Sequence, residues 1–211
     1  MAVEGMTVMY LYYNQPQAIK LFESIGYKNS HIKFLFIDDG SKEPLKLNWK
    51  NAHVLRIEKD IAWNQPQANN IGFEYIFCNN EHESVLRMDI DHYFTLEDLD
   101  NIGFYEPFGK EVVTFLREGR HPHPNIYLTS VKHILNAGGY NEEFCGNYGY
   151  DDLELMTRLK RKHFSFTELP IKVKINNSLK GHGLVRDSKV NKLKYLKTIE
   201  ESNSQRSNGR L

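Results

Sequence analysis

Residues 32–38, IKFLFID, are apolar at nearly every position and then end in acid. A strand with one wet face alternates apolar and polar residues. A near-continuous apolar run fits a strand buried on both faces, and so a parallel sheet covered by helices. The segments around it repeat the theme. TVMYLYY (7–13) is rich in β-branched and aromatic residues, and Pro16 suits the first turn of a helix running to about Ile25. AHVLRIE (52–58) reads as a third strand, the dense apolar stretch from Pro66 to Cys78 as a packed helix, and VLRMDI (85–90) as a fourth strand. This alternation predicts an α/β fold with a mostly parallel central sheet flanked by helices, whose ligands lie at the strands' carboxyl ends.

The later residues are less regular. VVTFL (112–116) and NIYLTS (125–130) read as strands around a turn-prone REGRHPHP stretch, in which His121 and His123 read as loop residues. Gly138-Gly139 interrupts the chain before an amphipathic helix over Asp151–Arg161. IKVKI (171–175) alternates like a half-exposed edge strand, and residues 188–201 carry a helical stripe. The last ten residues, SNSQRSNGRL, have linker composition, which predicts a disordered tail over 202–211 and a further domain beyond it. One domain over 1–201 is expected, with a nucleotide-binding half at about 1–93 and an acceptor half at about 94–187.

The 211 residues carry 27 basic and 27 acidic side chains, so no electrostatic footprint for nucleic acid or an anionic membrane exists. Two cysteines, Cys78 and Cys145, form no disulfide framework and no zinc spacing. No segment approaches the ~20 apolar residues of a membrane span, and a cytosolic protein is the expectation.

Two acidic strand ends carry the chemistry. Asp89 and Asp91 alternate around Ile90, so on a strand both carboxylates point one way, and hard oxygen ligands of this kind suit Mn²⁺ or Mg²⁺. Asp38 and Asp39 close the second strand, either as turn caps or as ligand contacts. No GxGxxG follows the first strand and no GxxxxGK[ST] occurs, so a diphosphate would depend on a metal and scattered basic groups.

Taken in order, TVMYLYYNQ, FLFIDDGS, DIAWNQPQANNIG, VLRMDIDHYF and GGYNEEFCGNYGYDDLELMTRL resemble the signature segments of GT-A glycosyltransferases, nearest the inverting family-2-like branch. The resemblance covers roughly residues 6–186. Its departures are a compact C-terminal half and Asp-Asp where many relatives carry Glu-Asp before the last core helix. It implies the Rossmann-like fold of nucleotide-diphospho-sugar transferases, a UDP-sugar donor and a glycan or glycoprotein acceptor. Asp39 is implied to accept from the uracil ring, with Tyr12 or Tyr13 stacking on the base. Asn64 and Asn70 either contact the nucleotide or cap a helix. Asp91 is implied as the metal ligand, with Asp89 on the ribose or on the metal through water. His182 in GHGLVRD is either a further ligand or plain surface, and Arg186 is a candidate donor to the diphosphate. Asp152 is implied as general base and Asp151 as a contact to acceptor hydroxyls, while helix grammar alone would make both N-terminal helix acids. Glu154 is expected to face solvent.

The expected function is a metal-dependent, inverting sugar transfer. A retaining glycosyltransferase would share the metal site. A sugar-nucleotide nucleotidyltransferase normally needs a glycine-rich basic loop near its N-terminus, and none occurs here. A non-catalytic sugar-nucleotide-binding module would not need Asp89, Asp91 and Asp152 together.

Overall fold

Four parallel strands carry the first half of the chain. The computed structural model describes residues 5–79, 84–179 and 184–208. Strands β1 (Met6–Tyr12), β2 (Lys33–Asp39), β3 (Ala52–Ile57) and β4 (Ser84–Asp89) alternate with helices α1 (Pro16–Ile25) and α2 (Gln65–Asn79). Next come β5 (His92–Tyr93), α3 (Leu96–Gly103), β6 (Glu111–Leu116), β7 (Tyr127–Ser130), α4 (Val131–Asn136) and α5 (Asp151–Arg161). The chain continues through β8 (Ser165–Lys172), β9 (Lys174–Ile175) and α6 (Lys189–Asn208). The seven-stranded sheet runs β3-β2-β1-β4-β7-β6-β8, and β5 pairs with β9 apart from it. Strands β3, β2, β1 and β4 are parallel, β7 runs antiparallel to both neighbours, and β6 and β8 are parallel. The sheet is thus the mostly parallel α/β arrangement expected.

Double-sided burial explains the apolar runs. Tyr10, Phe34 and Phe36 point into one core with Phe22, Tyr27 and Trp49. Met9, Leu35 and Ile37, the alternate positions, point into a second core with Ala68, Phe73 and Ile76 of α2. The first core is an aromatic stack: Tyr10 lies 4.7 Å from Phe22 and Tyr27 lies 4.8 Å from Phe34. Such pairs contribute about 0.5–1.5 kcal/mol each beyond the area they bury.

Several elements differ from expectation, for local reasons. Helix α3 has a capping box in which Thr95 accepts from the Asp98 amide and Asp98 accepts from that of Thr95. That pair is readable in TLED. Helix α4 has no side-chain cap and so no comparable mark. The edge strand is β8, not 171–175, and its pairing to β6 jumps from Leu169 to Lys172. Pro170, which has no N–H to give, sits in the jump. Lys174 and Ile175 instead pair with Tyr93 and His92. Helix α6 runs on to Asn208, past residue 201 and into the stretch expected to be disordered. No proline or glycine interrupts Lys189–Asn208, and Gly209 follows directly.

Helix α2 sits tightly on the sheet at Gly72, where an added Cβ would meet Met9 Sδ at 2.3 Å and Ile37 at 3.3 Å. Gly72→Ala is therefore expected to destabilise the fold by about 1–3 kcal/mol, the usual effect of overpacking. Chemical denaturation checks this, and an unchanged midpoint would mean that the helix shifts without cost.

Candidate active site at the carboxyl ends of the parallel strands

From β1 the chain builds outward to β2 and β3 on one side and then crosses to β4 on the other. The crevice beyond the carboxyl ends of β1 and β4 lies at this switch point, the usual ligand position in such sheets. A cleft of about 1140 Å³ opens there, and Tyr12, Asp39, Asn64, Asp89, Asp91, Asp151, Asp152 and Arg186 all line it.

The candidate metal-ligating group differs in detail from the expectation of two strand carboxylates on one face. Asp89 is the last residue of β4, but Asp91 lies in the turn that follows, so strand alternation does not align them. The turn does so instead: Asp89, Asp91 and His92 each offer a ligand atom, all within 4.8 Å of one another. The turn is held from outside by the His92–Ile175 pairing and by the Asn176 amide, which donates to the Asp91 carbonyl at 2.8 Å. His92 is buried, its Nδ1 is 2.6 Å from Asp91 Oδ1, and its Nε2 has no partner among the described residues. Two carboxylates and an imidazole form a donor set that fits Mn²⁺ or Mg²⁺. Burial pushes the Asp91 carboxyl up, but the hydrogen bond and charge of His92 and the charge of His123 outweigh it, leaving it below its ordinary value. His182 lies outside the described residues.

Arg87, fully buried on β4, holds the other carboxylate. Its Nη1 donates to Asp89 Oδ1 and to the Asn125 carbonyl at 2.7 Å, and its Nε donates to Asn69 at 3.0 Å. His123 approaches Asp89 Oδ2 at 3.6 Å, and its ring centroid is 5.0 Å from that of His92. His123 lies in a loop, as expected, and that loop brings it to the lining of the cleft. Burial pushes its pKa down, against the attraction of Asp89.

At the far end of the cleft the two acids of IDDGS separate. Asp38 is fully buried and accepts from the amides of Ser41 (3.1 Å) and Leu45 (2.9 Å) and from Arg56 (2.7 Å), so it builds the turn. Asp39 faces the cleft and takes a hydrogen bond from Asn64 Nδ2 at 2.9 Å. Burial pushes its pKa up to about 6, with Asn64 opposing and Asp60 and Asp38 adding to the rise. Asn64 thus lines the cleft with its amide turned to Asp39. Tyr12 is 4 % exposed at the end of β1, and the Tyr13 hydroxyl donates to Asp60. Arg186 lies 5.7 Å from the Tyr148 ring, which packs 4.6 Å from Trp63.

Asn70 does not join the cleft. Its Nδ2 donates to the Tyr140 carbonyl and to Glu142, and its Oδ1 accepts from the Tyr140 amide at 2.7 Å. It therefore clamps α2 to the 139–142 loop, and a Cβ on Gly139 would lie only 2.4 Å from Asn70 Oδ1. Glu154, expected to face solvent, is buried and pairs with Arg158 at 2.8 Å.

Helix α5 opens on the same cleft. Tyr150 precedes it in a left-handed conformation (φ 68°), and Asp151 and Asp152 form its first turn. Asp151 is buried and its Oδ2 lacks a partner among the described residues. Burial and then the charge of Asp152 push its pKa up to about 7. Asp152 is less buried, accepts from the Leu153 amide at 2.7 Å and from Asn125 Nδ2 at 3.4 Å, and is also raised, chiefly by burial. Sequence reasoning missed Arg87, His92, His123 and Asn125. His92 directly follows the Asp-X-Asp and was the most legible of them, whereas no local pattern marks the others.

This architecture is the GT-A fold. No protein-family model matches the sequence. No curated protein matches it either. Among solved structures it is similar to the mannosyltransferase PcManGT from Pyrobaculum calidifontis, solved in complex with GDP-Man and Mn²⁺ (12% identity, TM-score 0.63). It is also similar to GalNAc-T7, solved with UDP, GalNAc and Mn²⁺ (12% identity, TM-score 0.60). The matches cover 85% and 84% of this chain but only 58% and 44% of those two.

Asp151 gains proton affinity on folding, so it favours the folded state fully below its ordinary value of 3.8 and loses that contribution as pH rises through about 7. In metal-free protein, Asp151→Asn should stabilise the fold at pH 8 by on the order of a few kcal/mol, read as a higher melting temperature. The gain should shrink towards zero near pH 4; an equal gain at both pH values would show that Asp151 ionises freely.

Proposed function

We propose that the protein is a metal-dependent glycosyltransferase that moves a sugar from a UDP-sugar to a hydroxyl of a glycan or glycoprotein, with inversion. One observation carries this reading: a carboxylate pair that could ligate a cation and a second acidic pair line one cleft, on the GT-A fold. Asp91, Asp89 and His92 would hold Mn²⁺ or Mg²⁺, with His182 a further candidate from the sequence. When bound, such a cation neutralises charge on the diphosphate. Asp39 accepts a hydrogen bond from the base, with Asn64 orienting it. Tyr12 packs beside the base and Arg186 donates to the diphosphate. Uridine itself is taken from the family resemblance.

Asp152 is the general base in this reading. It removes the acceptor hydroxyl's proton while that oxygen bonds to the anomeric carbon. The carbon–oxygen bond to the diphosphate breaks, and its electron pair leaves with UDP. The start of α5 favours the ionised carboxylate, while burial raises its proton affinity above the ordinary carboxylate value, which strengthens it as a base. Asp151 holds acceptor hydroxyls, and residues 1–93 and 94–187 serve as donor and acceptor halves.

Calorimetry should show UDP binding that needs Mn²⁺ and is strongly weakened by Asp91→Ala; equal metal-free affinity would remove the metal from the model. Across a panel of UDP-, GDP- and TDP-sugars, slow hydrolysis should release UDP preferentially. Asp39→Ala should weaken UDP and uridine alike, whereas loss confined to the diphosphate would reassign Asp39.

Asp152→Asn should lower transfer by about 10²–10⁴-fold while leaving UDP affinity nearly intact, the usual contribution of a positioned base. Transfer should also fall as pH drops and Asp152 takes up a proton. Near-normal transfer by the variant would shift the base to Asp151. A product that keeps the donor's anomeric configuration by NMR would indicate the retaining mechanism instead.

A further inference from the structure

We infer that Asn125 is a positioning residue for Asp152, with its side-chain amide locked in one orientation by a buried pair of tyrosine hydroxyls. The inference rests on the reading of Asp152 as general base. Asn125 lies just before β7 and is 6 % exposed. Its Nδ2 donates to Asp152 Oδ2 at 3.4 Å, and its Oδ1 accepts from the Tyr140 hydroxyl at 3.0 Å. The Tyr127 hydroxyl in turn donates to the Tyr140 oxygen at 3.2 Å. Tyr140 therefore has its own proton left to give, and the only acceptor it meets at Asn125 is the amide oxygen. Both phenols are buried, and burial pushes their pKa values up, so they stay protonated donors at any working pH. A flipped amide would turn its oxygen on the Asp152 carboxylate and leave two acceptors face to face.

The backbone of Asn125 is held separately, since its carbonyl accepts from Arg87 Nη1 at 2.7 Å and its amide donates to His123 Nδ1 at 3.2 Å. Asp152 Oδ1 is occupied by the Leu153 amide at 2.7 Å. Each oxygen of the base thus has one fixed donor, which sets the plane of the carboxylate and leaves its remaining lone pairs for the acceptor. From β4, Asp89 raises the proton affinity of Asp152 and Arg87 lowers it, and Asp152 in turn raises that of Asp151, its neighbour on the same helix. The Asn125 amide adds a neutral donor that favours the ionised base, and its loss moves the proton affinity up.

The test compares Asn125→Ala, Tyr140→Phe and Asp152→Asn in the full chain with Mn²⁺ and the donor that the panel identifies. Asn125→Ala should lower kcat about tenfold, the size of one hydrogen bond. UDP affinity should stay within about twofold, and the acid limb of the kcat–pH profile should move to higher pH. Tyr140→Phe keeps the ring and removes only the locking hydroxyl. It should shift kcat and the pH profile in the same direction by less, which guards against a folding defect at Asn125. If Asp152→Asn abolishes transfer while Asn125→Ala leaves kcat and the acid limb unchanged, the positioning role is overturned and the base assignment stands. If Asn125→Ala weakens UDP binding as much as turnover, Asn125 is scaffold and the inference fails. If Asp152→Asn still transfers sugar, the base assignment and the inference fall together.

Discussion

A buried guanidinium organises the cleft. Arg87 has no exposed surface, yet it reaches Asp89 at the end of its own strand, Asn69 on α2 and the carbonyl of Asn125 before β7. A buried charge without partners is strongly unfavourable, and breaking such a pair typically costs about 3–5 kcal/mol. Burial by itself would lower the pKa of Arg87, but Asp89 more than offsets this and keeps the cation. The requirement to satisfy one charge therefore ties together three elements that the rest of the site builds upon. Planar, forked donor geometry suits arginine for this task in a way that a lysine ammonium would not match.

The acids around the cleft divide by their surroundings and not by their type. Asp91 sits beside two imidazoles and is held below its ordinary value despite burial. Asp151 and Asp152, also buried but beside another carboxylate, rise. A carboxylate held low, as at Asp91, suits a cation, and carboxyls of raised proton affinity, as at Asp151 and Asp152, suit proton transfer. The same residue type thus carries two different proton affinities within one cleft.

The scaffold was legible because its signals are contiguous. The two-sided burial of β2 is visible in FLFI, the Pro start of α1 in NQP, and the bounds of α5 in DDLELMTRLKR. Asp39, Asp89, Asp91 and Asp152 were legible as acids at element ends, which this fold directs to the cleft. Asn70 was not, because the same amide can read a ligand or clamp a loop, and only the position of Tyr140 decides between them. The continuation of α6 to Asn208 was masked by a Ser/Asn-rich composition that resembles a linker.

By itself, then, the sequence determined the alternation of strands and helices and the acids at their ends, since period, caps and apolar runs act over a few neighbouring residues. Only the tertiary structure decided which groups meet. Asn125 reaches Asp152 across 27 residues and Arg87 across 38, and His123 arrives at Asp89 from a loop with no metal-like spacing. It also set the proton affinities of Asp39, Asp91, Asp151 and Asp152, which depend on burial and on charges brought close through space. Those quantities arise from distance and desolvation, and a linear pattern of residues encodes neither.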